Sequence, residues 1–213
     1  MKLNNTEGGK NMIKSLKKVI LVLLVVSTSL LIFGASTADI VNSLPYETLS
    51  ASETESILQM REEEKLARDV YLTLYDIWEL RIFSNIAQSE QQHMDAVLSL
   101  IEKYDLNDPV KVDERGTFEN EDLQKLYNQL IEQGSKSLED ALIVGATIED
   151  LDIYDLEEFL KITDNQDIKF VYENLKNGSE NHMRAFVYQL SRFNKTYTPI
   201  YISIEEFNKI ISD

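Results

Sequence analysis

The sequence predicts an all-α protein: a four-helix bundle of two antiparallel hairpins, with a long crossover that contains a short extra helix. Three observations predict it. Four stretches repeat apolar residues every three or four positions, the spacing that lines one face of a helix. The links within each pair, around Leu80–Ile82 and Ile162–Asp164, are too short for anything but antiparallel neighbours. A polar crossing, Asn107 to Asn120 with Pro109 and Gly116, separates the pairs.

Residues 39–51 read as a linker punctuated by Pro45, and the bundle with its C-terminal tail as residues 52–213. The first helix is expected to start near Ser52, an N-cap with Glu55 three residues on, and to end near Leu80. The second runs from Ile82–Ser84 to about Asp105. The short extra helix covers Glu121 to Gln133 and stops at Gly134. Ser137 caps the third long helix, to about Ile162, and Asp164 opens the fourth, to about Phe193. The tail holds Pro199, an extended piece at Ile200–Ile202 and an amphipathic turn from Ser203. Beyond the likeness of the two hairpins there is no internal repeat.

The N-terminus reads as an export signal over residues 1–38. Lys14, Lys17 and Lys18 precede the apolar run Val19–Phe33, and Ser36-Thr37-Ala38 supplies a cleavage site. The apolar run is short of the roughly 20 residues of a membrane span, so a cleaved signal is the first reading and an uncleaved anchor the second. Met12 is an alternative start. The protein is therefore expected outside the cytoplasm or on the cell surface. Residues 1–38 carry five Lys and one Glu, so of the net −16 the remainder carries −20. That charge excludes nucleic acid and anionic membrane surfaces as main partners. The chain has no cysteine, which excludes thiolate-ligated centres; any metal must be held by oxygen and imidazole.

The four apolar seams are interrupted by groups that bind metals. The first runs Met60, Glu64, Ala67, Tyr71, Leu74; the second Ile86, Glu90, His93, Val97; the third Leu142, Gly145, Glu149, Asp152, Leu156; the fourth Leu175, Ser179, His182, Phe186. His93 and His182 are the chain's two histidines. Burying one unpaired carboxylate costs several kcal/mol, and four would cancel the stability of a typical domain. A pair of cations would compensate them. Glu90-x-x-His93 alone is weak among 37 acidic residues; the shared register near mid-helix is the stronger signal. If the seams are rotated, the acids face water and His182 is a satisfied core histidine. Glu62 and Glu63 are assigned to a solvated face. Tyr71 lies one heptad from Glu64, and its hydroxyl needs a partner, most naturally a ligand carboxylate. A redox role makes Tyr71 the catalytic candidate.

These residues resemble a family. Glu64-Lys-Leu-Ala67-Arg68-Asp-Val-Tyr71 is similar to the Glu-x-x-Ala-Arg-x-x-Tyr first helix of rubrerythrin-type ferritin-like proteins, and Ile86-Ala87-Gln-Ser-Glu90-Gln-Gln-His93 to their second helix. More closely, residues 53–211 resemble the DUF2202 family, a ferritin-like group, through Glu62–Tyr71, Phe83–Val97, Asp140–Leu156, Val171–Phe186 and the tail from Pro199. The resemblance implies a ferritin-like bundle and a di-metal site. Glu64 would be the first-helix ligand, Glu90 would bridge or cap, His93 and His182 would each bind one metal, and Glu149 with Asp152 would match a third-helix Glu-x-x-Glu pair. Ser179 departs from the pattern, which has Glu there. Asn177-Gly178 before it either breaks the helix, making Ser179 an N-cap, or marks a close approach of helices.

The expected function is that of an exported di-metal carboxylate protein, with iron as first choice and manganese or zinc as alternatives, acting on oxygen, peroxide or ferrous iron. Without cysteine it carries no electron relay of its own, so a peroxide reductase would need an external electron donor. The resemblance allows a homodimer. The alternative is a helical binding or scaffold module whose metal site is structural, buffering or degenerate, with no turnover.

Overall fold

The computed structural model describes residues 35–212. Most of the expected signal segment, residues 1–34, lies outside the described residues. Residues 41–213 form one compact unit. Of residues 1–40 only 35–40 are described, and they carry the start of the first helix. The described chain is all-helical, with seven helices and no strand: α1 (Thr37–Ser43), α2 (Ala51–Trp78), α3 (Arg81–Lys103), α4 (Glu121–Gly134), α5 (Leu138–Ile162), α6 (Gln166–Ser191) and α7 (Ile204–Ser212). Among them no helix is long and apolar enough to cross a membrane.

The long helices pack most extensively as α2 on α3 and α5 on α6, and the pairs meet through α2 on α5 and α3 on α6. Partners run antiparallel. Arg61 of α2 reaches Met94 of α3 while Tyr71 packs on Phe83, and Tyr172 of α6 packs on Phe159 while Gly145 of α5 faces Phe186.

Several boundaries differ from expectation for identifiable reasons. Part of the expected linker is helical, as α1. The first long helix starts two residues early because Ser50, not Ser52, forms the capping box: Glu53 N donates to Ser50 Oγ at 3.2 Å, and Ser50 N to Glu53 Oε2 at 2.8 Å. The last long helix opens at Gln166 behind Asn165 rather than at Asp164. Ile200–Ile202 is not a strand. Its three amides donate to the buried Asp150 carboxylate at 2.5–3.1 Å, and Tyr197 Oη donates to it at 2.8 Å, so one acid on α5 folds the tail back.

The crossover is anchored by the outer face of α2. Buried Lys65 donates to Asp69 (2.6 Å) and to the carbonyls of Glu114 and Thr117. Asp69 also accepts from Arg68 and from Gly116 N (2.9 Å). Arg68 pairs with Asp113, and Arg61 with Asp108.

The apolar core comes in two parts. One gathers Ala67, Tyr71, Leu74, Phe83, Leu142 and Phe186; the other Ile57, Met60, Val97, Leu100, Leu156 and Tyr172. Along every long helix the change from one to the other falls at the interrupted part of the seam. Two sheets of packed side chains therefore close off a polar layer from above and below.

Candidate metal centre

That layer holds Glu64 of α2, Glu90 and His93 of α3, Glu149 and Asp152 of α5, and Ser179 and His182 of α6. The four carboxylates and Ser179 are buried, and both histidines nearly so. Spacings of three residues within α3 and α5 set each pair on one face.

The ligand-type atoms converge as two groups with one shared member. Glu64, Glu90 and His93 each bring an atom within 4.8 Å of the others, and so do Glu90, Glu149 and His182; either group could hold a metal ion. His93 Nδ1 lies 2.7 Å from Glu90 Oε2 and 3.2 Å from Glu64 Oε2. His182 Nδ1 lies 2.9 Å from Glu90 Oε1 and 3.3 Å from Glu149 Oε2. Glu90 thus turns one oxygen to each imidazole, and the two rings stack with centroids 5.6 Å apart.

These contacts are close but largely misaligned for hydrogen bonding. Among the described residues, the buried side-chain polar atoms that lack a hydrogen-bond partner belong to Glu64, Glu90, Glu149, Asp152 and His182, plus Glu63 beside them. Buried polar groups are ordinarily satisfied, so this concentration calls for a further partner. A metal with roughly 2.1 Å bonds sets adjacent ligand atoms roughly 3.0–3.4 Å apart, close to the spacings observed. Carboxylate oxygen with imidazole is a donor set suited to iron, manganese or zinc.

The electrostatics point the same way. Burial pushes Glu64 up to about 7, although His93 beside it pulls down. Burial likewise raises Glu149, and it raises Asp152 well above the usual range with help from Glu64 and Glu149. Burial opposes the charge on Glu90 too, but His182 and His93 outweigh it and hold that carboxyl low. For the histidines burial favours the neutral ring, yet Glu149 and Glu90 push His182 up to about 10, and Glu64 and Glu90 raise His93. Protons thus supply the positive charge the layer requires, and a metal binding there would displace them.

Tyr71 Oη donates to Glu149 Oε1 at 2.5 Å, with Gly145 O at 3.3 Å. Burial, then Glu149, pushes its phenol well above 10, so it stays protonated. Asp152 stands outside both groups of three, next to them. The run Asn177-Gly178 does not break α6. Ser179 Oγ turns back onto Leu175 O (3.3 Å), and a Cβ on Gly178 would come 2.5 Å from His93 Nε2. Close approach is the reason for the glycine. Glu180 points toward Lys176, away from the site.

Sequence reasoning missed Glu63. Its Oε2 is buried and unpartnered, and burial with Asp155 nearby pushes the carboxyl up to about 8. The signal that could have found it is the amphipathic α4, which needs a neighbour to cover and lies over this side of α2.

The family described as "Uncharacterized protein domain (DUF2202)" matches residues 53–213. The uncharacterized protein MJ0754 of Methanocaldococcus jannaschii is 61% identical over 172 residues, spanning 81% of this chain and 93% of the relative. The crystal structure of that hypothetical protein, from Methanococcus jannaschii DSM 2661, superposes with a TM-score of 0.79 at 61% identity, covering 80% of this chain and 97% of that one.

Proposed function

The chain belongs to the DUF2202 family, and we propose that it is a ferritin-like di-metal carboxylate protein that acts, outside the cytoplasm, on oxygen, peroxide or ferrous iron. The four long helices then form the bundle, with α4 in the long crossover, and residues 1–38 are the export signal. One observation carries the reading: Glu90 faces both histidines, each backed by its own glutamate, in a buried layer of unpartnered ligand atoms.

Glu64, Glu90 and His93 would hold one ion, and Glu90, Glu149 and His182 the other. Iron is the first choice and manganese or zinc the alternatives. A pair of redox-active ions would supply electron transfer to oxygen species. The chain's own side chains do the rest. Glu90 spans the two positions, the apolar cores exclude water, and Tyr71 keeps a proton on its oxygen against Glu149. With no cysteine, electrons come from ferrous iron itself or from an external donor.

Ser179 favours a second reading. Its hydroxyl is turned away to Leu175 O and no carboxylate replaces it, which suits a structural, buffering or degenerate site in a helical binding module.

The test uses the metal-free full chain, titrated with Fe(II) without air and then exposed to oxygen or peroxide. Two irons per chain and a new visible absorption on oxidation are expected, with both irons lost in Glu90→Ala and one lost in His182→Ala. Binding without oxidation would favour the second reading. No binding, with unchanged stability in those variants, would refute the metal site.

A further inference from the structure

A cavity of about 80 Å³ lies between α2, α4 and α5. Six aliphatic side chains, Leu66, Leu123, Leu126, Leu130, Ile148 and Leu151, form most of its wall, with Thr147 beside them. Tyr201, 43% exposed, is the lining residue nearest solvent, and Asp152, 3% exposed, the acid at the buried end. Asp152 Oδ2 meets no donor, and neither does Glu63 Oε2, which also lines the space. The same Asp152 lies within interaction range of Glu64, Glu149 and Glu90. It therefore stands between the cavity and the candidate metal centre.

We propose that this cavity is a binding and access site for dioxygen, with Asp152 the side chain between the gas and the carboxylate–histidine layer. What lies beyond Asp152 rests on the di-metal reading; the gas site itself does not. A hydrated divalent cation would have to shed water against six aliphatic side chains. Hydrogen peroxide finds unpartnered acceptors only at the acids, Glu63 Oε2 and Asp152 Oδ2, and its hydroxyls go without partners along the six aliphatic side chains before them. A small apolar molecule loses nothing there. Apolar cavities of about 150 Å³ stay dry and bind xenon, and the leucine- and isoleucine-lined part of this cavity is of that kind. Within the oxygen-species reading, the cavity selects dioxygen over peroxide.

Crystals of the full chain pressurised with xenon test the site directly. Xenon is expected among Leu126, Ile148 and Leu151, and its absence there would overturn the proposal. Leu126→Phe and Leu151→Phe fill the space. If Leu151→Phe fails to fold, Leu126→Phe on the half-buried face of α4 serves alone. In Fe(II)-loaded protein the filled variant is expected to slow oxidation by oxygen several-fold, while Fe(II) stoichiometry and oxidation by peroxide stay unchanged. Unchanged oxygen kinetics, or equal slowing with both oxidants, would overturn the access role. A chain that takes up xenon but binds no Fe(II) would keep the gas site and remove the metal reading.

Discussion

Gly178→Ala separates the site from the fold. The added methyl would lie 2.5 Å from His93 Nε2 and 2.6 Å from Cε1, where ordinary contact begins at 3.4 Å. The imidazole must therefore retreat by about 0.9 Å, the difference between the two distances. His93 Nδ1 now sits 2.7 Å from Glu90 Oε2 and 3.2 Å from Glu64 Oε2. The retreat is several times the ~0.2 Å latitude of a metal–ligand bond. Misplacing a ligand's support typically costs about 10–100-fold in affinity. The His182 group makes no such contact and is spared. Folding pays little: overpacking costs about 1–3 kcal/mol, and Ala recovers about 0.8–1 kcal/mol of helix propensity over Gly. The net loss is about 0–2 kcal/mol. Calorimetric titration with Fe(II) or Zn(II), beside urea unfolding, should show one tight site where the parent has two and a nearly unchanged midpoint. Two undiminished sites would refute the assignment of His93, and a loss above about 4 kcal/mol would refute the offset.

Other outcomes follow from the same contacts. Tyr71→Phe removes the donor to Glu149 Oε1; it should cost about 1–3 kcal/mol in urea unfolding while both ions still bind. The metal-free chain should lose stability as pH rises. Glu64 (to about 7), Glu63 (to about 8) and His182 (to about 10) all sit above their ordinary values of 4.5, 4.5 and 6.5. Between pH 4.5 and 10 the folded state thus holds protons the unfolded state has released, and its stability falls across that window. Thermal melts in chelator should peak near pH 5 and decline to pH 8, and a rise would contradict the shifts. Asp69→Asn removes the charge that faces Lys65 and Arg68 and turns one of the two acceptor oxygens, which serve Lys65 with Gly116 N and Arg68, into a donor. A cost of about 3–5 kcal/mol and first protease cleavage within residues 107–120 are expected.

Periodicity found the layer because a carboxylate on an apolar seam is costly wherever the helices meet. Glu64, Glu90, His93, Glu149 and His182 all sit on such seams, and the structure brings them together. Glu63 did not stand out, because what buries it is α4, an element outside the seams of the four long helices. Ser50 and Ser52 each precede a glutamate by three residues, so the capping rule could not choose between them; Thr163 Oγ1, just past the end of α5, donates to Glu53 Oε1 at 2.6 Å and favours Ser50. Lys65, Arg68 and Asp69 lie off the apolar seam, and what buries them is the crossover that folds over them. Whether Asn177-Gly178 broke α6 also depended on a partner far in sequence, the His93 ring.

The most direct measurement is the metal content of the full chain beside three single variants, after loading with excess Fe(II) and removal of free metal. Two ions per chain are expected in the parent. Glu64→Ala and Glu149→Ala should each retain one, because each belongs to a single group. Glu90→Ala should retain none, because it belongs to both. A parent without bound metal, or a Glu90→Ala variant that keeps as much metal as Glu64→Ala, would contradict a pair of ions sharing Glu90.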